Sequence, residues 1–198
     1  MAYTPIAQDT PWQNGDDIDI MRTAVLVIDV LGGDSGLPEG FETEAGNCIA
    51  IAKAARAIGM PVIFADDAHV LAYDREIELW GEHGIAGTQG GTPLAEFDIA
   101  ESDIIIPKRR YDGFFGTDLD LTLRELGITT LIAVGADANI CVLQTLAGAY
   151  FRGYRSIVPR DAVWTFLIGT HTGALEYYST CYDTRIVDTQ SVLDALAR

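Results

Sequence analysis

The sequence predicts an α/β protein: a three-layer αβα, doubly wound, mainly parallel sheet of six strands with helices on both faces. Three observations carry that expectation. Short apolar runs recur along the chain, each bounded by glycine or polar residues. Between them lie stretches with apolar residues at helical spacing. The resulting strand–helix alternation is the pattern of a parallel sheet covered on both sides. Residues 1–20 read as an N-terminal arm lying over the surface or on a neighbouring subunit, and residues 21–198 as one domain.

Taken in order, the first strand is 24–28, followed by a glycine-rich loop at 32–40. A helix at 43–58 is supported by Ala45, Ile49, Ala52, Ala55 and Arg56, and Gly59 ends it. Met60 to Ala65 form the second strand. The segment 66–100 is rich in glycine, histidine and acidic residues and lacks clear periodicity. A connection of that length inside a compact domain is usually functional. Strand 103–106 precedes a helix at 117–126, built on Leu119, Leu121, Leu123 and Leu126 and stopped by Gly127. Strand 130–134, helix 140–152, strand 155–158, helix 171–181, strand 185–187 and helix 190–197 complete the alternation.

Composition narrows the function classes. Of 198 residues, 48% are hydrophobic and 21% charged, an ordinary globular balance. A formal net charge of -16 opposes nucleic-acid backbone and anionic membrane partners. No segment approaches the roughly 18–20 consecutive apolar residues of a membrane helix. Residues 1–19 show neither a basic n-region nor an apolar h-region, so a cytoplasmic location is expected. Cys48, Cys141 and Cys181 lack metal spacing and form an odd set, which fits a reducing compartment. No strand is followed by G-x-G-x-x-G, and neither a Walker lysine loop nor a G-x-S-x-G elbow is present.

Three strand ends carry chemistry. The strand at 24–28 runs into Asp29, and the strand at 103–106 runs into Lys108, one of only two lysines in the chain. After strand 130–134 a short polar turn leads to Cys141 at the start of a helix. In open parallel sheets, sites form outside the carboxyl ends of the strands. A helix start adds unpaired N–H groups and partial positive charge, which favour a thiolate and an oxyanion. Each residue also has a structural reading: Cys141 as a small core residue, Asp29 as a cap, Lys108 as a solvated strand end. Their convergence on one sheet edge favours the chemical one.

These residues and their surroundings resemble the isochorismatase-like cysteine hydrolases, from about Thr23 to Leu193. The resemblance lies in Lys108-Arg109-Arg110-Tyr111-Asp112-Gly113-Phe114-Phe115-Gly116-Thr117-Asp118-Leu119 and in Trp80-Gly81-Glu82-His83 with Gly87-Thr88-Gln89-Gly90. The resemblance implies an Asp29, Lys108, Cys141 triad that cleaves a small amide, ureido or carbamoyl compound through a thioester. It implies an oxyanion hole from the backbone N–H groups of Ala138 and Cys141, and a cis peptide at Ala136–Asp137. It also implies assembly as a homodimer or homotetramer. The chain departs from the family in Val30-Leu31-Gly32-Gly33-Asp34, where a glutamine and a phenylalanine are common, and in Ala138, where a threonine is usual.

Further candidates surround this core. Trp80, Tyr111 and Phe115 are candidate substrate-binding walls, with Phe114 and Trp164 beside them. Asp67, His69 and His83 form a donor set suited to zinc or another divalent ion. In nicotinamidases the matching positions bind a metal, with a further histidine where this chain has Arg75, while other relatives require none. Arg75, Arg109 or Arg110 could bind a substrate carboxylate. His171 could pair with Cys141 as a dyad, and Asp161 reads as a structural acceptor. Other readings are a nicotinamidase with a divalent metal, a vinyl-ether hydrolase of the isochorismatase type, and a binding protein that kept the fold.

Overall fold

A computed structural model describes Trp12, Gln13 and residues 17–198. Part of the expected arm, residues 1–11 and 14–16, lies outside the described residues. Trp12 is buried against the body of the chain, with the Arg155 guanidinium 4.7 Å above its ring.

Six parallel strands form the sheet: β1 (Thr23–Ile28), β2 (Val62–Asp67), β3 (Ile104–Lys108), β4 (Thr130–Gly135), β5 (Arg155–Pro159) and β6 (Arg185–Val187). Their order is β3-β2-β1-β4-β5-β6. The helices are α1 (Glu42–Ala57), α2 (Arg75–Trp80), α3 (Leu119–Glu125), α4 (Cys141–Phe151), α5 (His171–Tyr182) and α6 (Thr189–Leu196).

Strand side chains alternate between faces, so each strand feeds two cores. Ala24, Leu26 and Ile28 join Leu119, Leu123, Leu146 and Tyr178 on the side of α3, α4 and α5. Val25 and Val27 join Ile51, Ala52, Val192 and Leu196 on the side of α1 and α6. All six residues of β1 are buried, which is why its sequence runs apolar rather than alternating. Truncating one such fully buried leucine to alanine costs about 2–5 kcal/mol. Among the described residues, no helix is long and apolar enough to cross a membrane.

Two boundaries differ from the sequence expectation in ways that matter for the site. The second strand runs two residues later, ending at Asp67, because Val62 registers on Val25 of β1 and Asp67 on Lys108 of β3. Pairing with both neighbours overrides the local apolar run. The connection after it is also more ordered than expected, holding α2 and short 3-10 turns at Gln89–Gly91 and Ala95–Phe97. Six residues of helix are too few to print a period in the sequence.

From β1 the chain builds outward to β2 and β3, then returns to place β4 on the other side of β1. The strand order reverses there, and a crevice opens at the carboxyl ends of the central strands. Gly135 closes this junction. Its φ is +116°, and a Cβ added to it would lie 2.0 Å from the Ile28 carbonyl oxygen, so only glycine fits.

Candidate active site

Asp29 leaves β1 with φ +51°, a left-handed conformation that aspartate tolerates better than most residues. Its Oδ1 accepts the Asp67 backbone N–H at 2.7 Å, and Oδ2 lies 2.7 Å from Lys108 Nζ. Lys108, the last residue of β3, is wholly buried. Its ammonium also donates to Asp67 Oδ1 and lies 3.7 Å from Cys141 Sγ. Cys141 begins α4 and is 8% exposed, facing a cavity of ≈ 220 Å³. The cavity is lined by Asp29, Asp67, Glu76, Trp80, His83, Tyr111, Ala136, Asp137, Ile140, Cys141, Phe166 and Leu167.

Electrostatics set the resting protonation. Burial raises Asp29 to about 6 against the opposing pull of Lys108. Burial also opposes ionisation of Asp67, but His69 and Lys108 hold its carboxyl below the usual range. Lys108 is pushed up despite burial by Asp29, Cys141 and Asp67, so it stays charged. The Cys141 thiol is raised by burial and then by the Asp29 charge. Desolvation and a facing carboxylate outweigh the helix start and the lysine, so the thiol rests protonated.

The turn before Cys141 has a cis Ala136–Asp137 bond, where the family resemblance placed one. Ala138 is not a free oxyanion donor: its N–H donates to the Trp164 carbonyl at 2.7 Å, and its carbonyl accepts the Tyr178 hydroxyl. Those two bonds support the turn in place of the usual threonine. Among the described residues, the backbone N–H groups of Asp137 and Cys141 have no protein acceptor. Both residues line the cavity.

A second constellation adjoins the first. One donor atom each from Asp67, His69 and His83 lies within 4.8 Å of the others. His69 is fully buried, and neither ring nitrogen has a hydrogen-bond partner. Its Nε2 is 3.6 Å from Asp67 Oδ2 and 3.6 Å from Glu76 Oε2. Glu76 is buried with both carboxylate oxygens unpartnered. His83 Nδ1 is 2.8 Å from the Gly81 carbonyl, which leaves Nε2 available. The three donors of Asp67, His69 and His83 are close enough together to suit a first-row divalent ion. The sequence places Arg75 where nicotinamidases have a further histidine, flanked by Asp74 and Glu76, and Arg75 is exposed. Successive helix residues point about 100° apart, and the inward-facing one is Glu76.

An isochorismatase domain matches residues 23–191. The chain belongs to the isochorismatase family. It is 35% identical over 173 residues to the ureidoacrylate amidohydrolase RutB of Stutzerimonas stutzeri, covering 71% of this chain and 69% of that protein. N-carbamoylsarcosine amidase from Thermoplasma acidophilum is similar in structure, with a TM-score of 0.76 and 32% identity, covering 85% and 96% of the two chains. The nicotinamidase PncA from Bacillus subtilis has a TM-score of 0.75 and 28% identity, covering 84% and 99%.

Within this isochorismatase-family fold, the remaining expected site residues separate. Trp80 and Tyr111 line the cavity, and the Trp80 indole donates to the Tyr111 hydroxyl at 2.7 Å. Phe115 is 64% exposed and outside the cavity lining. Arg109 is held by Asp74 through its Nε at 2.9 Å, with Arg110 NH1 3.5 Å from the same carboxylate. Neither arginine lines the cavity. His171 Nε2 lies 2.7 Å from the Arg160 carbonyl, away from the cavity lining. Asp161 accepts the Thr189 N–H and hydroxyl, tying the end of β5 to α6. Phe166 and Leu167 form a wall that no local sequence signal marked.

Proposed function

We propose that this chain is a cysteine-dependent amidohydrolase acting on a small amide, ureido or carbamoyl compound through an Asp29, Lys108, Cys141 triad. The observation that carries the reading is the buried Lys108 ammonium, within contact of two carboxylates and the Cys141 sulfur on the floor of a cavity. A lysine is seldom fully buried without a task for its charge.

In the proposed cycle Asp29 takes the proton from Cys141 Sγ as sulfur attacks the carbonyl carbon, forming a C–S bond. The backbone N–H groups of Asp137 and Cys141 receive the oxyanion, and each such donor is worth on the order of 10²–10³ in rate. The C–N bond breaks, and the nitrogen leaves with the proton held by Asp29. Water then attacks the thioester, Asp29 takes one of its protons, and the C–S bond breaks. The acid is released and the thiol is restored. Lys108 stays protonated and steadies the ionised partners throughout.

Uncharged substrates fit this site better than anionic ones. Three carboxylates line or floor the cavity (Asp29, Asp67 and Glu76), and the Lys108 ammonium beside them is already paired. Burying a substrate carboxylate there without a cation costs several kcal/mol.

A second reading is favoured by the unpartnered donors of His69 and Glu76: a metal-assisted amidohydrolase of the nicotinamidase kind. Asp67, His69 and His83 would hold a divalent ion. Such an ion supplies Lewis acidity and an anchor for a substrate donor atom. The test is ammonia release from nicotinamide, maleamate, biuret, ureidoacrylate-like compounds and N-carbamoyl amino acids, comparing wild type with Cys141→Ala, with and without chelator. Turnover lost in the variant supports the cysteine mechanism, and chelator sensitivity supports the metal. Turnover that survives in Cys141→Ala would overturn the triad.

A further inference from the structure

The geometry points to Asp137 as a positioning residue that sets substrate size selectivity, clamping the Phe166–Leu167 wall to the turn that carries the nucleophile. Asp137 is 4% exposed. Its carboxylate faces away from the reacting atoms and into the 165–168 loop. Oδ2 accepts the backbone N–H groups of Phe166 at 2.8 Å and Leu167 at 3.1 Å. Oδ1 accepts the Asn139 N–H at 2.8 Å and lies 2.9 Å from the Thr165 hydroxyl. Asn139 Nδ2 reinforces the clamp, donating to Thr165 Oγ1 at 3.1 Å and to the Thr170 carbonyl at 3.4 Å. On the far side, Gly169 approaches so closely that a Cβ there would sit 2.7 Å from Asn139 Cγ.

Beside the clamp, the wall is held by the Phe166 ring against Phe41 and by the Thr165 hydroxyl on the Ile168 carbonyl. Phe166, Leu167 and Ile168 are 60%, 51% and 60% exposed, so apolar burial contributes little to the loop's order. Charge-assisted bonds from two consecutive backbone N–H groups to one buried carboxylate replace that burial. Asp137 also presents its own N–H to the cavity. One residue therefore couples the position of the apolar wall to the nucleophile's turn, and the width available to a substrate's side group depends on it.

The kinetic part of this inference rests on the amidohydrolase reading, whereas the structural part does not. The experiment uses full-length wild type, Asp137→Ala, Asp137→Asn and Thr165→Val. Amide hydrogen exchange is followed at 164–169 and in β1 and β4, together with steady-state kinetics on acetamide, isobutyramide and benzamide. In Asp137→Ala and Asp137→Asn, exchange at Phe166 and Leu167 should rise at least tenfold while the strands stay protected. Asparagine should also fall short, because one uncharged carbonyl oxygen replaces two charged acceptors that together take four hydrogen bonds. Thr165→Val should give a smaller rise, since both backbone bonds remain. The ratio of KM for benzamide to KM for acetamide should rise about tenfold, whatever fall in kcat the three amides share. Unchanged loop exchange would overturn the clamp. So would a uniform fall in kcat on all three amides with KM constant, which would assign Asp137 to chemistry alone. Should Asp137→Ala fail to fold, Asp137→Asn and Thr165→Val decide by the same exchange criterion. Wild type inactive on every amide would refute the amidohydrolase reading and leave the exchange result to judge the clamp.

Discussion

Replacing Lys108 with methionine keeps the volume of the stem and removes one buried charge. In the native site that charge stands 2.7 Å from Asp29 Oδ2 and also binds Asp67 Oδ1. At an effective dielectric constant of 20, a unit pair at that distance attracts by about 6 kcal/mol. Much of this offsets desolvation, and breaking a buried pair by deleting one partner typically costs about 3–5 kcal/mol net. Against a total stability of about 5–15 kcal/mol, that is a large share. The loss has a signature in pH. Without the ammonium, Asp29 and Asp67 confront each other and their pKa values rise, so the variant binds more protons when folded than when unfolded. Its deficit therefore grows as pH rises above the carboxylate range and shrinks as pH falls. Urea unfolding followed by tryptophan fluorescence at pH 5 and pH 8 reads this directly. A deficit below about 1 kcal/mol, or one equal at both pH values, would refute the ion cluster as the organising element of the site.

Other outcomes follow from the same geometry. Asp29, raised to about 6 by burial, must be ionised to accept the thiol proton, so kcat/KM should fall tenfold per pH unit below about 6; a flat profile from pH 5 to 8 would remove it as the base. Asp66 is 3% exposed, both its oxygens are unpartnered, and burial raises its pKa well above the usual value. A carboxyl whose folded pKa is raised loses stability as pH climbs from the unfolded value through the folded one. Asp66→Asn should therefore raise Tm at pH 8 by a few degrees, about 1 kcal/mol in a chain of this size, with the gain vanishing near pH 4 in calorimetry. His83→Ala should weaken zinc binding by at least about 10-fold in isothermal titration; wild-type affinity would remove it as a ligand.

The sequence by itself determined the fold class and the identity of the three central side chains. Each of Asp29, Lys108 and Cys141 ends an apolar strand or starts a helix, so its place follows from periodicity plus the rule that parallel strands deliver their carboxyl ends to one edge. The strand and helix order was legible for the same reason, since burial on both faces leaves long apolar runs. What only the tertiary structure decided involves segments far apart in the chain. Glu76 is a site residue because a six-residue helix turns it, and not Arg75, inward. The Ala138 N–H is unavailable because Trp164, twenty-six residues on, accepts it. Phe166 lines the cavity and Phe115 does not, although both are exposed aromatic residues in turns. Arg109 and Arg110 are tied to Asp74, across the long connection. The protonation of Cys141 also escapes sequence, because the helix start that lowers its pKa is local, while the burial and facing carboxylate that raise it exist only once the chain has closed around them.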